Sequence, residues 1–343
     1  MIHWDKESVS SSHVLPLSTS IHCMAGSNPS RASDPEHQHW DVDSIPDMTG
    51  KVVVITGSNC GLGLEAAKGL SSKGASVVMA CRTVSKAEAA RQGILEEVPN
   101  ADLTVMELDL ASMHSVRAFS RAFHAQYQRL DVLINNAGLM VPPYQETADG
   151  WESQMGTNHL GHFALTGRLL DLLRATPHSR VVTLSSIAHK KGRIEFRNML
   201  FRKGVGYTPM KAYGRSKLAN LLFTFELQRH LERHNIDCMS VAAHPGVSGT
   251  SLGRYMEGKW YVRLLMPLIK RFIQTPAMGA LPEMRAASDP AVLGGQYYGP
   301  DGKREMKGYP VLCEAMLHAH SLTDAASLWE ESERLTGVRY RFE

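Results

Sequence analysis

The chain has 343 residues, of which 43% are hydrophobic and 21% charged, and its formal net charge is +3 at pH 7. This length is sufficient for one large α/β domain or two small ones. The nearly neutral charge argues against nucleic acid or another polyanion as a partner.

The chain has five cysteines without paired spacing: Cys23, Cys60, Cys81, Cys238 and Cys313. This scatter argues against a zinc site or a disulfide framework and favours reduced thiols, so we expect a cytoplasmic protein without a bound metal. No apolar run approaches the about 20 residues that span a bilayer. The first residues also lack the apolar region that a secretory signal requires.

Residues 1–46 differ in composition from the rest of the chain. They are rich in Ser, His, Pro and Asn and contain few large apolar residues beyond Trp4 and Trp40. This composition predicts a mobile N-terminal extension, and its acidic residues disfavour a targeting peptide. We therefore expect a single folded domain over residues 47–343.

The first predicted strand, residues 52–56, leads into a glycine-rich turn that contains Gly57, Gly61 and Gly63. A helix is predicted directly after the turn, over residues 64–73. A strand, a glycine turn and a helix in this order aim backbone N–H groups and the positive end of the helix at a phosphate group. The alternative is a tight turn that needs glycine only for its backbone conformation.

The second predicted strand, residues 75–81, ends at Cys81 and is followed by Arg82 and Lys86. A protein specific for NAD would place an acidic residue at this point, on the ribose hydroxyls. Two cations suit the 2′-phosphate of NADP(H) instead, so this cofactor is favoured over NAD(H). The alternative is that both side chains are solvated residues at the start of a helix.

The pattern of strands and helices continues with helix 88–98, strand 103–108, helix 112–127 and strand 131–134. Asp109 follows the third strand, where a carboxylate and a backbone amide can meet an adenine. Asn136 and Gly138 follow the fourth strand. Small and amide residues there let a ring approach the backbone and supply hydrogen bonds that hold neighbouring strands.

A long helix is predicted over residues 150–176, and Asn158 lies within it between two glycines. Asn has a low helix propensity in such a position, which invites a functional explanation. His159 and His162 are three residues apart and could imitate a metal-binding pair. No third ligand occurs at a useful spacing, so we interpret them as packing or surface residues.

The fifth predicted strand, residues 180–185, is followed by a segment rich in Lys, Arg and Gly, residues 189–209. This segment, hereafter the wall, is too long for a simple connection and is predicted to line a substrate site. Residues 251–275 combine aromatic, apolar and basic side chains and are predicted to form a lid, whose contact with a membrane surface stays open. The remaining predicted elements are strand 236–243, helix 276–287, a final short strand 296–298 and helix 322–335.

Tyr213 and Lys217 lie four residues apart in a predicted helix over residues 210–232, on the same face. A free phenol titrates near about 10, and an adjacent ammonium favours the phenolate and lowers that value. Such a phenol can give a proton to a carbonyl oxygen or take one from an alcohol. The pair alone is weak evidence of a catalytic role, and the motifs upstream strengthen that interpretation.

Taken in order, these motifs resemble the short-chain dehydrogenase/reductase family of the classical type, from about residue 49 to the C-terminus. The most similar branch is the retinol-dehydrogenase-like group with its WW-domain oxidoreductase relatives. It is suggested by residues 56–63, 81–82, 156–163, 185–189 and 213–220. The resemblance implies an α/β fold: a single Rossmann-type doubly wound parallel sheet with helices on both faces, which binds a dinucleotide at the strand C-termini.

The resemblance also implies the role of each site residue. Tyr213 is the general acid/base, Lys217 lowers its pKa and holds the nicotinamide ribose, Ser186 bonds the reacting oxygen, and Asn158 fixes a water that leads to Lys217. The implied cofactor-binding residues are Gly57, Asn59, Gly61, Leu62, Gly63, Arg82, Lys86, Asp109, Asn136, Ala137, Gly138, Tyr213, Lys217, Pro245, Gly246 and Thr250. Cys60 departs from the family pattern, because serine is common there. The gap between Ser186 and Tyr213 is long for the family but fits this branch.

The implied activity is an NADP(H)-dependent carbonyl reductase or alcohol dehydrogenase that acts on a lipophilic, retinoid-like aldehyde, ketone or alcohol. One alternative is a catalytically idle NADP(H)-binding sensor. Another is a reductase for a protochlorophyllide-type or steroid-type compound. Family members often form homodimers through the two long helices, so a homodimer is an open expectation.

Overall fold

The computed structural model describes residues 39–249 and 273–343, which surround one eight-stranded sheet. Residues 1–38, which are predicted to be mobile, lie outside the described residues. So do residues 250–272, which include nearly all of the predicted lid.

The strands form from short runs of Val, Ile, Ala and other apolar residues, as expected for strands buried on both faces. They are β1 (Val52–Thr56), β2 (Ser76–Cys81), β3 (Asp102–Glu107), β4 (Val132–Asn135), β5 (Ser179–Leu184), β6 (Cys238–Ala243), β7 (Tyr297–Pro300) and β8 (Pro310–Leu312). Their order across the sheet is β3-β2-β1-β4-β5-β6-β7-β8. Neighbours are parallel up to β7, and β8 pairs with β7 in the antiparallel sense. The predicted doubly wound parallel fold is confirmed.

Several helices begin after a residue whose side chain satisfies a free N–H group of the first turn. The side chains of Ser112, Thr208, Thr275 and Ser321 each accept a hydrogen bond there. The helices are α1 (Gly61–Ser72), α2 (Val84–Glu97), α3 (Met113–Gln126), α4 (Ser153–Met155), α5 (Gly161–Arg168), α6 (Leu170–Ala175), α7 (Pro209–Arg233), α8 (Pro276–Ser288) and α9 (Leu322–Thr336).

Two hydrophobic layers cover the two faces of the sheet. One layer joins α3, α5, α7 and α9, and the other joins α1, α2 and α8. Successive strand residues alternate between them: Val54 and Val181 contribute to the first layer, Val53 and Val182 to the second. This alternation fixes which helix side chains can reach the strand ends from each face.

The prediction of one continuous helix over residues 150–176 is wrong, because the structure divides this range into several helical segments. The helical stretch begins at Ser153, after Glu152, whose carboxylate accepts from the N–H groups of Gln154 and Met155. It then widens into a π-helical turn at Gly156–Leu160 before α5, and the chain bends at Leu169 before α6. Single π-helical turns often occur at functional sites.

Two other features differ from the prediction. One is an additional strand, β8, which follows the strand that was predicted to be the last. Its Pro310 fits an edge strand, because proline donates no ladder hydrogen bond. The predicted extension also reaches into the folded unit, because Ile45 is 4% exposed and Trp40 packs against the α1/α8 layer. The folded unit accordingly begins at His39 rather than at residue 47.

Among the described residues, no helix combines the length and apolar character needed to cross a bilayer.

Candidate active site

A cleft of about 240 Å³ opens at the C-terminal edge of the sheet, above β1 and β4. These two neighbouring strands lead to helices on opposite faces, which is where open α/β sheets bind their ligands. The predicted site residues that line the cleft are Gly57, Asn59, Gly61, Leu62, Arg82, Lys86, Asp109, Asn136, Ala137, Gly138, Tyr213, Lys217 and Pro245.

Other predicted residues lie outside the cleft lining. Gly63 packs against Gly57 and Asn136. Ser186 is hydrogen-bonded to Tyr213, and Asn158 donates to Ser216 of α7. Gly246 packs against the carbonyl oxygen of Met306, only 2.4 Å from where a Cβ of residue 246 would lie. Thr250 is outside the described residues.

The glycine turn brings backbone close to backbone at the start of α1. Gly57 and Gly61 have φ of +70° and +61°, a region that favours glycine. A Cβ at Gly57 would lie 2.9 Å from the Cβ of Ala137, and one at Gly63 would lie 2.5 Å from Asn136 Nδ2. The first N–H groups of α1 thus face the cleft without bulk in front of them, which suits the pyrophosphate of a dinucleotide.

The amide side chains after β4 hold the neighbouring strand, as predicted. Asn136 Nδ2 donates to the carbonyl oxygen of Thr56 over 2.7 Å. The Thr56 hydroxyl accepts from the backbone N–H groups of Asn136 and Ala137 at 3.0 and 2.9 Å. These bonds close the end of β1 onto the end of β4 and set the floor of the cleft.

Arg82 and Lys86 line the far end of the cleft, at the end of β2 and in the first turn of α2. Both side chains are exposed. Asp109 lies nearby after β3, where its carboxylate accepts from the N–H group of Ala111. Two cations therefore stand at the position where a dinucleotide's adenosine ribose would lie.

Tyr213 and Lys217 lie at the other end of the cleft and are 6% and 4% exposed. Lys217 Nζ donates to the carbonyl oxygen of Leu184 over 3.0 Å and lies 5.8 Å from the centre of the Tyr213 ring. Burial lowers the pKa of Lys217 to about 8, and the charge of Glu283 opposes that change.

The expected lowering of the phenol's pKa by Lys217 is wrong for the protein without a ligand. Burial raises the pKa of Tyr213 to about 12, and the hydrogen bond from Ser186 is what opposes the rise. The physical reason is that desolvation disfavours the phenolate while the ammonium is directed to Leu184. Tyr213 is therefore a protonated donor at neutral pH.

The two serines after β5 have different partners. The Ser185 hydroxyl donates to the carbonyl oxygen of Lys217 over 2.8 Å, which occupies its proton. The Ser186 hydroxyl accepts from the N–H group of Ala188 over 3.2 Å and also bonds Tyr213. Ser186 rather than Ser185 therefore has its hydroxyl beside the phenol.

Asn158 lies in the π-helical turn, where it joins three segments. Its Oδ1 accepts from the N–H group of Leu139 at 2.7 Å, and its Nδ2 donates to Leu139 O and to Ser216 Oγ at 3.0 and 2.9 Å. These bonds tie the π-helical turn to the segment after β4 and to α7, one residue before Lys217.

His162 connects Asn158 to Thr56, a role that the sequence did not predict. Its Nδ1 lies 3.0 Å from the carbonyl oxygen of Asn158 and its Nε2 lies 2.8 Å from Thr56 Oγ1. A carbonyl only accepts, so Nδ1 carries the proton and Nε2 accepts from the hydroxyl. Burial lowers the pKa of His162 to about 4, which keeps the ring neutral. His159 is equally buried and bonds Ser332 of α9 over 2.9 Å.

Arg215 is a second residue that the sequence did not predict. It lies between Tyr213 and Lys217 on α7, but its guanidinium is fully buried on the other side, over the ring of Phe201. It donates to the carbonyl oxygens of Arg193, Asn198 and Met199 at 2.7–3.0 Å. Its Nη2 also lies 3.1 Å from Glu195. One side chain therefore holds the wall against the helix that carries the acid/base pair.

His244, Glu305 and Cys313 approach one another within 4.8 Å and form a candidate metal-ligand group. However, His244 Nδ1 accepts from the N–H group of Gly246 over 3.2 Å, so Nε2 carries the proton and points to Glu305 at 3.4 Å. Glu305 is also paired with Lys190 at 2.9 Å. The group is better described as a pair between the buried His244 and the half-buried Glu305 than as a metal centre.

Proteins of known family are similar to this chain over most of its length. The short chain dehydrogenase family profile matches residues 51–198. Retinol dehydrogenase 14 of Mus musculus is 41% identical over 322 residues, covering 90% of this chain and 92% of that protein. Retinol dehydrogenase 11 of Homo sapiens is 44% identical over 244 residues, covering 71% of this chain and 74% of that protein.

Solved structures share the fold. An uncharacterized protein from Mycobacterium paratuberculosis is 39% identical, with a TM-score of 0.73 over 88% of this chain and 99% of that chain. The NADP complex of RhlG from Pseudomonas aeruginosa has a TM-score of 0.58 at 22% identity, over 76% of this chain and 96% of that chain. The chain therefore belongs to the short-chain dehydrogenase/reductase family of oxidoreductases, in its retinol-dehydrogenase-like group.

Proposed function

We propose that the protein is an NADP(H)-dependent carbonyl reductase or alcohol dehydrogenase that acts on a lipophilic, retinoid-like aldehyde, ketone or alcohol. The observation that carries the proposal is that Tyr213 and Lys217 line one end of the cleft while Ser186 is hydrogen-bonded to Tyr213. When bound, a nicotinamide dinucleotide supplies the hydride for carbonyl reduction or accepts it from an alcohol.

In this proposal, Tyr213 donates its proton to the carbonyl oxygen of the substrate during reduction. Its raised pKa keeps the phenol protonated at neutral pH, which is the form that a reductase needs. Ser186 orients the same oxygen through its hydroxyl, and Lys217 binds the ribose next to the nicotinamide. Asn158 is assigned the water that leads to Lys217 and through which the proton on Tyr213 is replaced.

The preference for NADP(H) over NAD(H) rests on the two cations at the far end of the cleft. Arg82 follows β2 directly, where an acidic residue would bind the ribose hydroxyls of NAD. Arg82 and Lys86 are instead placed to pair with a 2′-phosphate through charge-assisted hydrogen bonds. The neighbouring carboxylate, Asp109, is assigned to the adenine.

The substrate class rests on apolar surroundings and on the relatives. The apolar residues Leu139 and Met140 belong to the cleft lining, as does Tyr213. A chain similar to several retinol dehydrogenases along most of its length is most simply assigned a retinoid-like substrate. The wall, held by Arg215, is the part of the described structure that we expect to distinguish one lipophilic carbonyl from another.

The direct test is an activity screen with aldehydes, ketones and alcohols, starting with all-trans-retinal, in which NADPH and NADH are compared at equal concentration. We expect NADPH-dependent reduction of all-trans-retinal or a related lipophilic carbonyl. Turnover restricted to steroid or protochlorophyllide-type substrates would transfer the assignment to that class. NADPH binding without turnover across the panel would favour the catalytically idle sensor, which the presence of Tyr213, Ser186, Lys217 and Asn158 argues against.

A further inference from the structure

The loop that follows β4, residues 136–144 (hereafter the β4 loop), holds Val141 in a backbone conformation that its residue type disfavours. The φ of Val141 is +51°. A positive φ is rare for a β-branched residue, and a residue that precedes a proline, here Pro142, favours extended backbone. Such conformations persist only where the surrounding structure fixes them, and they concentrate at active sites and ligand-binding sites. The same loop passes the acid/base pair, because a Cβ at Gly138 would lie 3.7 Å from Lys217 Nζ.

Gln154 holds the β4 loop from α4. Its side chain is fully buried, and its Oε1 accepts from the N–H group of Val141 over 3.0 Å. Its Nε2 donates to the hydroxyl of Tyr207 and to the carbonyl oxygen of Pro209 at 3.1 and 3.0 Å. The Tyr207 hydroxyl in turn donates to the carbonyl oxygen of Pro142 over 2.7 Å. Together with the peptide bond between residues 141 and 142, these hydrogen bonds form a closed network.

This network joins the β4 loop to the wall, to which Tyr207 belongs. The Tyr207 ring packs edge-on against Phe201, with 5.5 Å between the ring centres. The guanidinium of Arg215 on α7 lies 4.0 Å from the centre of the Phe201 ring. The β4 loop, the wall and α7 therefore form one packed unit at the end of the cleft that holds the acid/base pair.

Met140 lies between the two points at which the β4 loop is held. On one side, the Asn158 side chain bonds both the N–H group and the carbonyl oxygen of Leu139. On the other side, Gln154 bonds the N–H group of Val141. Met140 also belongs to the cleft lining. Because its backbone is fixed on both sides, its apolar side chain enters the cleft from a defined position.

We propose that Met140 is a specificity-determining residue that contacts the lipophilic substrate beside its carbonyl group, and that Gln154 and Tyr207 are positioning residues that act through Met140. The inference deepens the proposed function and rests on it, because the class of substrate belongs to that proposal. Gln154 and Tyr207 themselves lie outside the cleft lining that the described residues form. Loss of their hydrogen bonds therefore changes how the substrate binds and leaves the coenzyme site intact.

The first experiment compares KM for all-trans-retinal, kcat and NADPH affinity in wild type, Tyr207→Phe and Tyr144→Phe. Phenylalanine keeps the aromatic ring of Tyr207 and removes the hydroxyl that closes the network. We expect KM to rise by about two- to tenfold, the factor that one neutral hydrogen bond supplies, with kcat and NADPH affinity within about twofold of wild type. Tyr144→Phe is the matched control, because Tyr144 lies in the same loop and packs against Tyr207, but its hydroxyl bonds Glu146.

The second experiment combines both substitutions with Met140→Ala, which removes the proposed contact. We expect Met140→Ala alone to raise KM for all-trans-retinal by at least about tenfold, as truncation of an apolar contact does. In this background Tyr207→Phe should change KM little, because residues that act through one another are non-additive. Additive effects on KM, an unchanged KM in Met140→Ala or in Tyr207→Phe, or loss of NADPH binding in Tyr207→Phe would overturn the proposal.

The third experiment needs no substrate. Hydrogen exchange over residues 138–147, measured by mass spectrometry, reports how firmly the β4 loop is held. We expect exchange about two- to tenfold faster in Tyr207→Phe than in wild type or Tyr144→Phe. Equal rates in the three proteins would overturn the positioning role. Faster exchange in Tyr207→Phe, without turnover of any carbonyl by wild type, would overturn the proposed function and the role of Met140, while supporting the positioning of the loop.

Discussion

Lys217 Nζ donates a hydrogen bond to the carbonyl oxygen of Leu184 over 3.0 Å, which ties the long helix α7 to the end of β5. The same carbonyl accepts from Asn220 Nδ2 over 2.9 Å. The backbone of the sheet therefore fixes the ammonium before any ligand arrives, 5.8 Å from the Tyr213 ring. Groups held in place by the fold need no reorganisation when charge develops beside them.

Replacing Tyr213 by Phe removes the proton donor at this end of the cleft and keeps the ring. We expect kcat to fall by about 10²–10⁴-fold, because that is what general acid catalysis supplies. NADPH affinity, measured by fluorescence titration, should stay within about threefold of wild type, since the ring still fills its place. A Tyr213→Phe enzyme with nearly normal kcat would remove Tyr213 from the reaction.

Replacing Lys217 by Met should damage activity and raise stability together. The pKa of Lys217 is about 8 in the folded protein and 10.5 in the unfolded chain, so folding disfavours the charged form. This penalty is fully present below pH 8 and disappears as the pH rises through 10.5. We expect Lys217→Met to be more stable by roughly 2–4 kcal/mol at pH 7, with the difference shrinking toward pH 10.

Chemical denaturation at pH 7 and pH 10 measures this difference. Asn220 continues to satisfy the carbonyl oxygen of Leu184 in the variant, so no buried acceptor is left without a partner. NADPH affinity and kcat should both fall. Lower stability of Lys217→Met at pH 7 would show that the hydrogen bond to Leu184 outweighs the cost of burying the charge.

The pH dependence of the two reaction directions should differ. Because burial raises the pKa of Tyr213 to about 12, reduction has its proton donor ready at neutral pH. Oxidation of an alcohol needs the phenolate, so its rate should rise with pH throughout the range from 6 to 9. Initial rates with a retinoid pair in both directions test this, and oxidation that is maximal at or below pH 7 would point to a different base.

Replacing Arg82 by Asp should reverse the coenzyme preference. One charge-assisted pair with a phosphate is worth roughly 1.5–3 kcal/mol, so wild type should favour NADPH over NADH by about ten- to a hundredfold. In Arg82→Asp, the new carboxylate repels the 2′-phosphate and can bond the ribose hydroxyls of NADH. Arg117→Asp, which changes an exposed cation on α3, serves as the control for net charge. Equal use of both coenzymes by wild type would contradict the assignment.

Replacing Arg215 by Met should loosen the wall without disturbing the coenzyme. The change leaves the carbonyl oxygens of Arg193, Asn198 and Met199 without their donor, and we expect a loss of about 3–5 kcal/mol in stability. KM for the carbonyl substrate should rise while NADPH affinity is retained. Arg229→Met is the control, because Arg229 lies on the same helix and, within residues 39–249 and 273–343, pairs with Glu226. An unchanged KM would show that the wall does not contact the substrate.

The sequence by itself predicted most of the fold and the position of the cleft, because those features depend on local patterns. Buried β-branched runs predicted β1 correctly at both ends, and the glycine spacing predicted the turn at Gly57. The four-residue spacing of Tyr213 and Lys217 predicted that they share a helix face. The strand β8 was missed, because Pro310 and its two successors form too short a run to show any period.

The tertiary structure determines the pKa values, and thus the protonation states, of these residues. The sequence places Lys217 next to Tyr213 and predicts a lowered pKa, but the folded protein buries both groups, and desolvation reverses the direction for the phenol. Glu283 acts on Lys217 from a distant segment, and Arg215 is buried on another side of α7, so no spacing in the sequence predicts their roles. His162 lies close to Asn158 in the sequence, but its contact with Thr56 exists only in the folded chain. Periodicity records which face a side chain occupies, whereas the pKa of a buried group depends on all the charges and dipoles that the fold assembles around it.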